Sequence, residues 1–404
     1  MTTKTSTLAL VLIAGCLKAN PNYVAGDGGA PGSDAGSGSD VAPQCTSNAM
    51  CSGDAPICEL GAGSAHDTCR ACSGDSDCTG TATTCLPTGA CAGDDLVAYV
   101  SPAGSDTNAC SAAAPCATLG YALTATALPY IALTGSAGDA NGVAIGRAVT
   151  VLGRGSASIT RAGSIGPAVT VTADGVTLAT LAILQAAGAA SGDGIQTSTG
   201  TLTLEQVQIT QNARYGVYAT GGKVVAQRSM ISHNAAGGLD LSAASFDLEN
   251  CFIFGNGTTN VSTFGGVYIA GSPSNTDTIQ FTTVADNHSA GGTTGGIQCT
   301  AQTNALTFED VVVANNDSTI NTQVLGAGCT YVYSDTYPGT IASGTTNVGV
   351  APAFVNEASE DFHLGSNSPL IDQADPAATL KIDIDDQSRP QGLARDMGAD
   401  EYMP

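Results

Sequence analysis

Tryptophan is absent from this 404-residue chain, and only eight phenylalanines and eleven tyrosines are present. A core with so few rings is mostly aliphatic, which favours many small stacked layers over one large interior. Charge is scarce too: charged residues are 12% of the chain, and 12 basic side chains face 35 acidic ones, for a formal net charge of −23. Such a chain is repelled by nucleic acid and by anionic lipid headgroups, so no nucleic-acid partner is expected. Long apolar runs are also missing: the stretch from Leu8 to Ala14 is far shorter than the roughly 20 residues that span a hydrocarbon core. The histidines, His66, His233, His288 and His363, are scattered without His-x-His or His-Glu-x-x-His spacing and suggest no metal site.

What is present begins with "MTTKTSTLALVLIAGC", in which one Lys, a short apolar run and small residues before Cys16 read as an export signal. Ile13-Ala14-Gly15-Cys16 resembles the bacterial lipobox. That resemblance implies removal of residues 1–15 as a lipoprotein signal peptide and acylation of Cys16, with palmitate-type chains holding the protein to a membrane. Leu17 and Lys18 offer no Asp beside the anchor, which points to the outer membrane or cell surface. Residues 16–44, rich in Gly, Ser and Asp, have little to bury and read as a disordered tether.

Residues 45–92 hold eight of the fourteen cysteines, as Cys45, Cys51, Cys58 and Cys69 followed at near-identical spacing by Cys72, Cys78, Cys85 and Cys91. An even count, an exported chain and few apolar residues predict a small disulfide module of two repeated units, its pairing left open. Zinc is disfavoured because the matching ligand pairs are missing. The segment resembles Cys-rich modules that precede the main domain in some bacterial lipoproteins.

From residue 96 the texture changes to short β-branched runs separated by Gly and Asn. Leu202 and Leu204, Val207 and Ile209, and Val217 and Ala219 alternate as three short strands, and a shift of 22 residues lands on Val224, Ile231 and Leu239, then on Phe246 and Ile253. The next third strand, at Val267, arrives six residues late, which marks an inserted loop. A fixed strand set with elastic loops predicts an all-β solenoid of three short parallel strands per coil, about seven coils at a spacing of roughly 4.8 Å. Asn212, Asn234, Asn256, Asn287 and Asn316 all fall in the turn after the second strand. There they are expected to stack as a structural ladder, each amide bonding the next and tolerating left-handed backbone.

Residues 96–350 resemble the right-handed parallel β-helix family, on the strength of "YVSPAGSD" at 99–106, "PCATLGYALTATA" at 115–127 and the repeated I-x-x-N frames. Leu119, Ala122, Leu123 and Thr126 fall at helical spacing, and the resemblance implies a short helix capping the first coil. Cys110 and Cys116 flank this entrance and suit a local disulfide. At the other end, 351–404, "PAFVNEASEDFHLGSNSPLIDQADP" with "DIDDQSRPQGLARDMGADEY" resembles the terminal region of bacterial surface proteins called choice-of-anchor Q. That resemblance implies attachment to a cell surface, for which Cys16 would be the anchor.

The β-helix resemblance also raises a polysaccharide lyase or glycoside hydrolase, but fold alone does not establish an enzyme. No Arg-x-Pro-x-x-Arg or Gly-His-Gly pattern is present. Catalytic candidates are Glu205 and Glu249, which share an outward column with Gln227, and Arg228 beside it. Two coils put these carboxylates roughly 10 Å apart, just beyond the roughly 6.5–9.5 Å of inverting glycosidases. The plainer reading is a solvated polar face. Tyr215 and Tyr218 are the aromatics expected near this column, and Asp193 and Asp240 border third strands. Asp383, Asp385 and Asp386 could gather around calcium, the one cofactor the sequence suggests, or be paired by Arg389 or Arg395. Cys251, Cys299 and Cys329 fall inward; Cys299 and Cys329, taken as diagonal neighbours about 8 Å apart, exceed the roughly 7 Å that a disulfide spans and read as buried thiols. The expected function is non-catalytic display or adhesion at the cell surface, with polysaccharide or surface proteins as partners; the alternative is a carbohydrate-active or glycan-binding β-helix.

Overall fold

The computed structural model describes residues 45, 48–59, 68–161, 163–258, 262–292, 294–302, 304–320, 322–339 and 344–404. Cys16, the leader and the tether lie outside the described residues. So does His66.

The architecture is a parallel β-solenoid whose coils each contribute one strand to three faces. On the first face Thr201–Glu205, Lys223–Gln227 and Ser245–Glu249 pair in parallel, one coil apart. On the second face Gln208–Thr210, Met230–Ser232 and Phe252–Phe254 do the same, so Ile209, Ile231 and Ile253 stand in register. The third face runs through eight strands, from Val143–Ile145 to Thr322–Leu325. The count exceeds the expected seven because 130–171 already forms coils, although its strands are bent ribbons without the 22-residue frame. Inward Ile, Val and Leu side chains from all three faces make one continuous buried core. The helix Leu119–Ala125, N-capped by Thr118, puts Leu119, Ala122 and Leu123 over its first coil and covers an otherwise open sheet end.

Two corners of each coil need left-handed backbone. Between the first and second faces the residue at that corner is Thr180, Gln206, Arg228, Asn250, Phe281, Asp310 or Tyr333, with φ between 42° and 56°. Its side chain is thrown outward. The Asn ladder sits at the second corner, where each amide Nδ2 donates to the next Oδ1: Asn212 to Asn234 at 2.8 Å, Asn234 to Asn256 at 3.0 Å, Asn256 to Asn287 and Asn287 to Asn316 at 2.9 Å. Gln323 ends the row by accepting from Asn316 at 3.0 Å. The left-handed residue here is the one before each Asn, namely Gln211, His233, Gly255, Asp286 and Asn315. The ladder thus saturates buried amides rather than relieving backbone strain, a correction to the expected role.

In the N-terminal module the first cysteine of each unit bonds the third and the second bonds the fourth: Cys45–Cys58 and Cys51–Cys69, then Cys72–Cys85 and Cys78–Cys91. Among the described residues its own buried cluster is Ile57, Cys72 and Cys78, so the bridges replace a core. A further bridge joins Cys110 to Cys116. Cys299 and Cys329 are also bonded, with Cα atoms 6.1 Å apart, not free as expected. They lie on different faces, the third and the first, and meet across the interior, so a diagonal measured along one sheet overstated their separation. Cys251 alone is a free buried thiol among the described cysteines.

Candidate functional site

Outward positions decide what each face can bind, and the first face carries one unbroken outward column. In register it reads Tyr99, Ala132, Leu152, Ala179, Glu205, Gln227, Glu249, Gln280, Glu309. Its apolar half is covered by Leu86 and Ala92 of the disulfide module, and Arg154 adds a salt bridge to Asp75 at 2.6 Å. The polar half faces the C-terminal segment.

That segment, 351–404, folds back along the corner between the first and second faces, and the left-handed residues hold it. Gln206 Nε2 donates to Asp386 at 2.7 Å, Asn250 Nδ2 donates to the carbonyl of Ile382 at 2.8 Å, and Asp310 accepts from the backbone N–H of Asp375 at 2.8 Å. Arg228 bridges Glu205 and Asp386. Arg389 packs over the Phe281 ring at 4.8 Å and, with no exposed side-chain surface, pairs with the equally buried Glu401 at 3.1 Å.

Between this column and 377–382 lies a cavity of about 510 Å³, lined among others by Arg228, Glu249, Phe281, Glu309 and Lys381. Burial raises Glu249, and burial with a hydrogen bond to Asp375 raises Glu309 to about 7. Burial likewise lifts Asp310 to about 7.

The third face is built differently. Its outward column reads Gln196, Tyr218, Asp240, Tyr268, Gln298 in register, so Asp240 stands between two tyrosines, one coil to either side. Phe264, on the inserted loop, stacks on Tyr215 at 5.2 Å and on Tyr268 at 5.4 Å between ring centroids. Gly237 makes room for it, since a Cβ there would lie 2.5 Å from the Phe264 ring. Arg214 lies over the rings of Tyr215 and Tyr218 at 4.6 and 4.2 Å. It is held by a fork to the buried Asp193 at 2.7 and 2.9 Å. Burial raises Asp240, eased by the Ser242 hydroxyl at 2.6 Å.

Several expectations change accordingly. Glu205 and Glu249 do share a column with Gln227; Glu205 is only 9% exposed and tied to Arg228, whereas Gln227 and Glu249 are half-buried. Tyr215 and Tyr218 belong to the third face with Asp193 and Asp240, not to the Glu205 column. Asp383, Asp385 and Asp386 diverge. Asp383 is buried and accepts three backbone N–H groups, Asp385 pairs with His363, and Asp386 turns to Arg228. Consecutive positions on a turn point apart, so no common calcium is enclosed. Arg389 takes Glu401 as its partner, and Arg395 donates to the carbonyl of Leu380 at 2.6 Å. His363, read as isolated, lies beside Asp385 and Asp400. The sequence carried one usable signal for the third-face platform, the insertion that delivers Phe264.

No curated protein matches the chain. Among solved structures it is similar to one titled "Crystal structure of pectate lyase Pel9A", at 16% identity and a TM-score of 0.48, over 76% of this chain and 96% of that one. Residues 192–351 match the family model described as "Right handed beta helix region". By fold the chain is a right-handed parallel β-solenoid preceded by a disulfide-rich region.

Proposed function

We propose that this is an exported, envelope-anchored and non-catalytic solenoid whose third face binds saccharide. The observation that supports it is Asp240 set between Tyr218 and Tyr268, with Arg214 and Phe264 fixing the rings. Half-buried aromatic faces take the C–H side of a sugar ring, while a partly desolvated carboxylate takes its hydroxyls. A chain with net charge −23 favours neutral glycans over acidic ones.

Binding is preferred over cleavage because glycoside hydrolysis uses two available carboxyl groups. On this face Asp193 is already forked to Arg214, which leaves Asp240. On the first face Glu205 is held by Arg228. The anchor rests on the lipobox-like Cys16, so mass spectrometry of the mature N-terminus should find an acylated cysteine.

The deciding experiment is calorimetric titration with a panel of neutral and acidic oligosaccharides, alongside an assay of reducing-end and unsaturated-sugar release. Binding of a neutral glycan that weakens at least about tenfold, or about 1.4 kcal/mol, in Tyr218→Ala and Tyr268→Ala is expected. Retained affinity in both variants, or turnover lost in Asp240→Asn or in Glu205→Gln with Glu249→Gln, would overturn the proposal.

A further inference from the structure

The C-terminal segment contains a cluster of titratable side chains that the saccharide face does not use. We infer that His363, Asp385 and Asp400 bind a divalent transition metal of the zinc type, fastening three separate stretches of the segment beside the second face.

Each residue reaches the point from a different part of the chain. His363 lies on the strand Asp361–Leu364, which pairs antiparallel with Phe354–Asn356. Its ring stands edge-on to Phe252 of the second face, with centroids 5.3 Å apart at 84°. Asp385 comes from the turn after the buried Asp383, whose carboxylate accepts its N–H at 2.9 Å. Asp400 is fixed by the N–H of Leu364 at 2.7 Å. One nitrogen of His363 and one oxygen from each aspartate all lie within 4.8 Å of one another.

The imidazole is oriented as a metal ligand is. Its Nδ1 lies 2.6 Å from Asp361 Oδ1, and its Nε2 lies 2.8 Å from Asp385 Oδ2. A carboxylate behind one ring nitrogen fixes the tautomer and raises the basicity of the other, the usual support for a metal-bound histidine. One imidazole nitrogen and two carboxylate oxygens suit zinc or cobalt, whereas calcium requires an all-oxygen shell. Three protein ligands leave a fourth position for water.

Both ring nitrogens face a carboxylate, which can only accept, so each carries a proton when no metal is bound. Binding is therefore an exchange: the Nε2–H bond breaks, Nε2 gives its electron pair to M²⁺, and the proton leaves to solvent.

The test is calorimetric titration of the metal-stripped full chain with Zn²⁺ in buffers of different ionisation enthalpy, from pH 6 to 8. One His363-dependent equivalent, release of one proton and a higher Tm are expected, with Co²⁺ giving a tetrahedral visible spectrum. Asp361→Asn should weaken binding by about 10–100-fold. Asp385→Asn should weaken it as well while circular dichroism stays unchanged, so a folding failure of His363→Gln would not leave the matter open. Stoichiometric zinc that survives both His363→Gln and Asp385→Asn, or a folded wild type that takes up none, overturns the inference.

Discussion

The corner that carries the C-terminal segment and the third face are made from the same repeating coil, yet only the corner is sealed by that segment. At the corner, every coil is forced into left-handed backbone and throws one side chain outward. Gln206, Arg228, Asn250, Phe281 and Asp310 share no chemical type. Gln206 and Arg228 both meet Asp386, while Asn250, Phe281 and Asp310 meet Ile382, Arg389 and Asp375, and the result is a buried, partly ionic seam. On the third face the outward positions repeat on extended backbone: the rings of Tyr218 and Tyr268 are half-buried, and Asp240, at 8% exposure, sits buried between them. Identical geometry therefore yields a clamp where a second chain segment is available and a platform where, among the described residues, only the insertion carrying Phe264 reaches it.

Breaking the clamp should have the largest effect. Arg389→Ala strands the buried Glu401 and removes the cation over Phe281, and loss of one partner of a buried pair costs about 3–5 kcal/mol. Chemical denaturation should show that loss, and proteolysis should cut within 351–404 while the third face keeps its ligand. If denaturation and proteolysis match wild type, the seam is not what holds the segment.

Reducing or removing the Cys299–Cys329 bridge comes next. It closes a loop with a sequence separation of 30, for which about 3–4 kcal/mol is expected. Cys299→Ser should lower Tm through the last coils, with the N-terminal module unchanged by hydrogen exchange.

Acidity sharpens the comparison at lower cost. Asp310 and Asp383 in the clamp both rise to about 7 through burial, well above the usual carboxylate range. Raised carboxylates bind more protons folded than unfolded, so their stabilising contribution is full below about 4 and is lost as pH climbs through 7. His363, raised to about 10, works in the same direction at higher pH. The segment should therefore be released more readily at pH 8 than at pH 5, read as protease sensitivity against pH. Asp310→Asn should flatten that dependence, and an unchanged slope would remove Asp310 from the account. The smallest expected change is in Tyr218→Ala, which should leave stability within about 0.5 kcal/mol, as a surface position does, while reducing saccharide affinity.

Much of the fold was legible because a solenoid repeats one local rule. Aliphatic alternation at a 22-residue period placed Ile209, Ile231 and Ile253 on one line, and the Asn frame marked its corner. The site was less legible. Glu205 and Glu249 were visible as a column, but their burial depends on a segment 180 residues further on, as the Gln206–Asp386 bond shows. Phe264 reached the platform through an insertion whose sequence position gave its existence and not its direction. His363, Asp385 and Asp400 are spaced irregularly, since one strand, one turn and one irregular stretch of an aperiodic tail bring them together.

The sequence by itself determined the solenoid, its core-facing residues and a disulfide-stapled entrance, because those follow from local alternation, period and composition. Tertiary structure alone decided which outward positions are covered, which cysteines meet across the interior and where carboxylates are desolvated. Those outcomes depend on distances between segments far apart in the chain, and no local pattern encodes such distances.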